Sequence, residues 1–207
     1  MEELLAGYRR FRAARWPAQR ETLEALARDG QKPHTLAIAC CDSRVAPEMI
    51  FDCAPGDVFT VRNIANLVPP YAPDTANHGT SAALEFAVRV LRVRRIAVIG
   101  HSSCGGIAAL LHEPPPEARD FVANWVRIAE PARKRAVRFA DDPVEAARRA
   151  EIESVRVSLE NLMTFPWIAS AHNAGELGVY GFYFDVPSGT LREVTAEGER
   201  LITEGAG

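Results

Sequence analysis

Apolar positions along this chain fall into two spacings. Thr35–Cys40 contains the unbroken run Leu36-Ala37-Ile38-Ala39, preceded by Gly30 and Pro33, and residues 95–99 read the same way. Runs this short, without polar alternation, mark strands buried on both faces of a parallel sheet. A third strand fits residues 58–62. Elsewhere the apolar residues recur at helical spacing. Leu84, Val88 and Leu91 are in register along a helix over 79–90, and a further helix follows over 107–112. At the start of the chain, Leu4, Leu5, Tyr8 and Phe11 fall on one stripe, with Arg9, Arg10, Arg12 and Arg15 largely elsewhere, which predicts an amphipathic helical arm. Pro114-Pro115-Pro116 interrupts the chain before a mostly helical stretch over 120–163. A closing hairpin is expected from residues 179–186 and 191–195 about the turn Pro187-Ser188-Gly189-Thr190.

Strand, loop, helix, strand is the rhythm of an α/β fold. The expected architecture is a mainly parallel central sheet flanked by helices, with an N-terminal helical arm and a C-terminal β-hairpin. The proline run is too short for a linker, so residues 1–207 are read as a single domain: an arm over 1–30, a core over 31–112, and a helical region with closing strands over 113–207. Composition adds exclusions. With 24 basic and 27 acidic residues the net charge is −3, which offers little counterion release to a nucleic acid. No uncharged apolar stretch approaches the roughly 18 residues of a membrane span. Four cysteines without a secretory signal point to a reducing compartment, where thiols pack, bind metal or react, and the cytoplasm is expected.

In open α/β sheets, functional groups gather beyond the carboxyl ends of the strands. Cys40-Cys41-Asp42-Ser43-Arg44 and His101-Ser102-Ser103-Cys104 therefore face a common crevice. A histidine and a cysteine three residues apart, joined by a thiol from another strand end, make a Cys₂His set, which suits tetrahedral zinc. Three protein ligands leave the fourth position open, as in catalytic sites. Neighbouring side chains in extended backbone point to opposite faces, so only one of Cys40 and Cys41 can face the crevice. Asp42 and Arg44, two apart on a turn, suit a charge-assisted pair. Such a pair serves either to tie the loop or to hold a carboxylate beside a metal-bound water.

Cys-x-Asp-Ser-Arg, then Arg62-Asn63-Ile64-Ala65-Asn66, then His-x-x-Cys-Gly-Gly after a hydrophobic strand together resemble the β-class carbonic anhydrases. Phe59 to Tyr71 is similar to the plant-type form. The resemblance implies one zinc per chain, bound by Cys40, His101 and Cys104. It implies reversible hydration of carbon dioxide to bicarbonate and a proton, with the Asp42–Arg44 dyad orienting the zinc-bound hydroxide. It also implies a substrate pocket formed by Gln31, Phe59, Ile64, Phe86 and Gly105. Gln31, Phe59, Ile64 and Phe86 would come from the neighbouring subunit, making a dimer the smallest competent unit.

The sequence departs from the family pattern in three places. Cys41 fills a slot where relatives often carry a small residue, Phe86 stands where plant-type members often have Tyr, and Ala37 and Ala39 replace the Trp and Gly of bicarbonate-regulated members, which removes that regulatory site. His34, His78, His112 and His172 are expected in surface or capping roles. Three other readings compete: a carbon disulfide or carbonyl sulfide hydrolase on the same fold, a non-catalytic α/β zinc-binding module, and a cysteine-nucleophile hydrolase activated by His101. No G-x-G-x-x-G or G-x-x-x-x-G-K-[ST] pattern supports nucleotide binding.

Overall fold

A computed structural model describes residues 1–112, 114–139 and 141–203. Glu113, Ala140 and residues 204–207, all within the stretch read as helical region and closing strands, lie outside the described residues. The apolar runs form the centre of one sheet: β1 Thr35–Cys40, β2 Val58–Asn63, β3 Arg95–His101, β4 Gly178–Asp185, β5 Thr190–Val194 and β6 Glu199–Leu201, in the order β2-β1-β3-β4-β5-β6. The first four in that order are parallel, and β5 and β6 complete the edge antiparallel. The predicted β4–β5 hairpin is present, and β6 extends it. At three residues, β6 is too short to leave a period in the sequence.

The helices are α1 Glu2–Arg10, α2 Trp16–Asp29, α3 Pro47–Ile50, α4 Gly79–Glu85, α5 Gly105–His112, α6 Val122–Val126, α7 Glu130–Ala136, α8 Pro143–Leu162 and α9 Pro166–Asn173. A π-helical stretch, Phe11–Arg15, joins α1 to α2, so the predicted arm is helical nearly throughout and buries none of its residues. Another, Phe86–Val90, continues α4. The helical region expected over 120–163 is broken into α6, α7 and α8 by short 3₁₀ turns. α8 begins where Asp142 accepts hydrogen bonds from the amides of Val144 and Glu145 and Pro143 occupies its first turn, the preferred start of a helix. α9 was not anticipated; it is eight residues long and follows α8 after a short turn.

One face of the sheet packs against α4, α8 and α9. Leu36, Ile38, Ile96 and Val98 are fully buried there among Leu84, Ile152, Val155, Leu162, Phe165 and Ile168. Each such side chain contributes about 1.5–3 kcal/mol of burial. α8 lies close because two glycines face it: a Cβ on Gly100 would sit 2.6 Å from Val155 Cγ2, and one on Gly181 2.8 Å from Val155 Cγ1. The other face is lined by the smaller cluster Ala37, Ala39, Ala97 and Ile99 with Phe182. It borders a cavity of about 520 Å³ that also touches Phe51 and Tyr180.

β1 leads to β2 on one side of itself, and β2 leads across to β3 on the other. The crevice at the carboxyl ends of β1 and β3 is therefore a topological switch point, where ligands bind in open α/β sheets. Cys40 ends β1 and His101 ends β3, so the fold delivers both residues to that crevice.

Candidate metal centre

Cys40, His101 and Cys104 meet at the switch point, their three potential ligand atoms lying within 4.8 Å of one another. All three are buried, with 5%, 1% and 2% of their surface exposed. Of the two adjacent thiols, Cys40 faces the crevice and Cys41 faces solvent, as strand alternation requires. Cys104 arrives on the turn between β3 and α5, where Ser103 takes a left-handed φ of 57°.

Two features of this cluster fit a tetrahedral cation. The sulfurs are 3.9 Å apart, against about 3.8 Å for two thiolates each ~2.3 Å from a tetrahedral zinc. His101 Nδ1–H donates to the Ser102 carbonyl at 2.9 Å, which fixes the proton on Nδ1, while Nε2 is buried without a partner. A buried ring nitrogen with a free lone pair, turned by a backbone carbonyl, is the usual state of a metal-ligating histidine. The sulfurs are similarly prepared. Cys40 is held well below the usual thiol range, first by its hydrogen bond with Cys104 and further by the neighbouring His101 ring and the Asp42 and Ala65 amides. Cys104 is pushed up by that same bond and by burial. One negative charge is thus easily formed here, and a second requires a compensating cation.

Asp42 and Arg44 sit on the loop that follows Cys40. Arg44 Nε donates to Asp42 Oδ1 at 2.9 Å, its terminal nitrogen donates to Oδ2 at 2.7 Å, and its backbone amide adds a bond to Oδ1 at 2.9 Å. The bidentate guanidinium holds the Asp42 carboxyl far below the usual carboxylate range. Arg44 also reaches the Ser103 carbonyl at 3.1 Å, which ties the β1 loop to the β3 loop.

Of the remaining predicted pocket residues, the structure brings two to the cluster. Gly105 opens α5 directly after Cys104, and Ile64 follows β2 and packs against Gly106. This corrects the expectation that Ile64 is supplied by a neighbouring subunit, because Asn63 pairs in register with Cys40 and so places Ile64 beside its own chain's cysteines. Gln31, Phe59 and Phe86 lie elsewhere. Gln31 is exposed ahead of β1, Phe59 pairs in register with Leu36 near the start of the sheet, and Phe86 stacks on Phe59 with ring centroids 5.9 Å apart. Phe86 keeps 44% of its surface exposed. Leu36 precedes Cys40 by four strand residues, about 13 Å. His172 hydrogen-bonds the Leu177 carbonyl in the turn after α9, a capping contact, and His78 bonds Asp74.

Two contributors to the site escaped sequence reasoning. Glu151 on α8 is buried behind Cys104. One carboxylate oxygen accepts from the Cys104 amide at 3.0 Å, and the other accepts from the Tyr183 hydroxyl at 2.8 Å. Burial pushes its pKa up against those two bonds. Arg62 donates to the carbonyls of Cys40 at 2.9 Å and Asp42 at 2.5 Å, bracing the loop. Glu151 lies 47 positions from Cys104, a separation at which no local spacing signal exists. Arg62 stood in the quoted Arg-Asn motif but carried no assigned role.

A family model described as carbonic anhydrase matches residues 35–191. The chain is 42% identical over 172 residues to beta carbonic anhydrase 5, chloroplastic, of Arabidopsis thaliana, covering 82% of this chain but 56% of that relative. It thus spans little more than half the length of the chloroplastic protein. A carbonic anhydrase of Pseudomonas aeruginosa is 35% identical over 206 residues, covering 98% of this chain and 91% of the relative. Among solved structures, the β-carbonic anhydrase CcaA superposes with a TM-score of 0.85 at 32% identity, covering 93% of this chain and 86% of that one. One of two tetrameric β-carbonic anhydrases from Sordaria macrospora gives 0.82 at 30% identity, covering 94% and 96%. From the switch-point cluster, the sheet order and these likenesses together, the chain belongs to the β-class carbonic anhydrase family.

Proposed function

We propose that the chain catalyses the reversible hydration of carbon dioxide to bicarbonate and a proton, with one zinc per chain held by Cys40, His101 and Cys104. The observation that carries this reading is the buried, partnerless Nε2 of His101 facing two sulfurs at tetrahedral spacing, with an ionised Asp42 on the adjoining loop. When bound, zinc lowers the pKa of a water from about 15.7 toward about 7, which supplies hydroxide near neutral pH.

The chain's own groups do the rest. The two cysteines offset the cation's charge, so this site acidifies water less than a three-imidazole site would. Asp42, with both oxygens already accepting from Arg44, retains a lone pair to accept the water's hydrogen bond and so orients the nucleophile's remaining lone pairs toward the substrate carbon. Arg44 keeps that carboxylate ionised and occupied, which discourages it from taking the open coordination position. Ile64 and Gly105 line the near side of the pocket.

Gln31, Phe59 and Phe86 complete the pocket from a second copy, which makes a dimer the smallest competent unit; tetrameric members such as the Sordaria macrospora enzymes support self-association. All four cysteines are free, which supports a reducing compartment, and we place the protein in the cytoplasm. Among the described residues, no helix is long and apolar enough to cross a membrane.

Metal analysis and stopped-flow hydration on one preparation test this reading. The expected result is about one zinc per chain and a rate that climbs from pH 6 to 9. A metal-free preparation that remains active, or a flat profile at full zinc and saturating buffer, overturns it. Carbonyl sulfide and carbon disulfide run alongside would expose a sulfur-analogue hydrolase.

A further inference from the structure

Ala65 and Asn66 are consecutive residues in the left-handed region, with φ of 64° and 50°. Asparagine tolerates that conformation, but alanine gains nothing from it. Both are buried, with 0% and 1% of their surface exposed. The turn has a directional consequence, since the Ala65 amide donates to the sulfur of Cys40. Across from it stands the start of α5, where the amides of Gly106 and Ile107 donate to the sulfur of Cys104. The two structures touch at Gly106. A Cβ there would lie 2.7 Å from Ile64 Cγ2, 2.9 Å from the Ala65 Cβ and 3.3 Å from the Ala65 nitrogen. Gly106 carries no left-handed φ, so backbone conformation does not demand glycine at this position. The close approach of the Ala65 turn does.

We propose that Gly106 is a positioning residue for the metal centre: by admitting the Ala65 turn into contact it aims the Ala65 N–H at the Cys40 sulfur, while its own N–H serves the Cys104 sulfur. The inference rests on the Cys40–His101–Cys104 reading and deepens it. Hydrogen bonds to a ligating thiolate withdraw charge from sulfur, so the bound cation keeps more of its own. A Cys₂His site is short of positive charge to begin with, so such bonds matter more here than in a site of neutral ligands. The paired amides compensate for part of what the two thiolates cancel.

The test begins with the unaltered chain loaded with NMR-active cadmium. Scalar coupling from the metal through sulfur to the amide protons of Ala65 and Gly106 is expected, alongside coupling to the β-protons of Cys40 and Cys104. Cysteine couplings without either amide coupling overturn the inference and leave the ligand set standing; missing cysteine couplings overturn the ligand set itself. In the cobalt-substituted Gly106→Ala variant, the sulfur-to-metal charge-transfer band should move to longer wavelength. The alkaline limb of hydration should rise by about 0.5–1 pH unit, the scale of one lost hydrogen bond. Gly106→Ala combined with Ala65→Gly removes the 2.9 Å contact and should return the band part of the way. A merely structural glycine would lower the melting temperature and leave the band in place, and that result also overturns the proposal. Should Gly106→Ala fail to fold, the cadmium couplings decide the matter alone.

Discussion

The two ends of the parallel sheet are finished differently. At the carboxyl ends of β1 and β3, Cys40, His101, Cys104, Asp42, Arg44, Arg62 and Glu151 are each held by hydrogen bonds from their own chain, those of His101 and Glu151 buried and those of the Asp42–Arg44 pair at the surface. Near the opposite end, Phe59 and Phe86 form an aromatic pair with Phe86 half exposed, and Gln31 stands in solvent. Buried polar groups must be satisfied within the chain, because an unmet donor or acceptor costs roughly 1–3 kcal/mol. An apolar wall can be left for another molecule to cover. The difference teaches that the residues able to hold a metal all come from a single chain, whereas those of the proposed pocket do not.

Substitutions at the metal end should break the molecule's chemistry outright. In Cys104→Ser the zinc content should fall from near one per chain to near zero, and hydration with it, because a hydroxyl does not replace a thiolate as a ligand. Metal analysis checks this directly, and a zinc-replete serine variant would mean the ligand is misassigned.

Asp42→Asn should lower turnover by about a hundredfold, within the range of positioned proton-handling groups, with zinc near one per chain. The sign of its pH dependence also follows from the dyad. Arg44 depresses the Asp42 pKa in the folded chain, so the pair's stabilisation is fully present above the unfolded value of about 3.9 and is lost only as pH falls through the lower folded value. Urea midpoints of wild type and variant should therefore run parallel from pH 5 to 9; a divergence in that window would remove the ionised-dyad account.

At the other end the effects are smaller and should depend on concentration. Phe86→Ala, or Phe59→Ala, should reduce kcat/KM by about two- to tenfold, the value of one aromatic contact, without altering zinc content. Wild-type specific activity should also fall on dilution, in step with the oligomer's dissociation by analytical ultracentrifugation. Activity that stays constant through dissociation would place the whole pocket within one chain.

The mildest effect on turnover is expected behind the metal. Glu151→Gln leaves one of two buried donors, the Cys104 amide or the Tyr183 hydroxyl, poorly matched. It should cost about 1–2 kcal/mol, seen as a melting temperature several degrees lower, while retaining zinc.

The sequence was most legible where chemistry is local. The Cys40–Arg44 loop and the His101–Cys104 turn each contain their own spacing, and the strands before them announce themselves as short apolar runs buried on both faces. β1 began and ended where predicted, whereas β3 ran on through His101 because backbone pairing with β4 continues to the ligand. Elements without a period of their own, β6, α3 and α9, were missed. The expected helical stretch over 120–163 contains Pro131 and Pro143, and each stands in the first turn of a new helix.

By itself, then, the sequence determined the α/β class and the two short motifs Cys40–Arg44 and His101–Cys104, each legible because its residues lie a few positions apart at a strand end, while the joining of Cys40 to His101 and Cys104 was read through the family resemblance. Tertiary structure alone decided which residues those groups meet. The packing of α8 over Gly100 and Gly181 sets Glu151 behind Cys104, the β1–β2 register puts Ile64 beside its own chain's cysteines, and the same register keeps Phe59 about a strand length from them. Contacts between distant segments are fixed by register and close packing, and neither leaves a periodic trace along the chain.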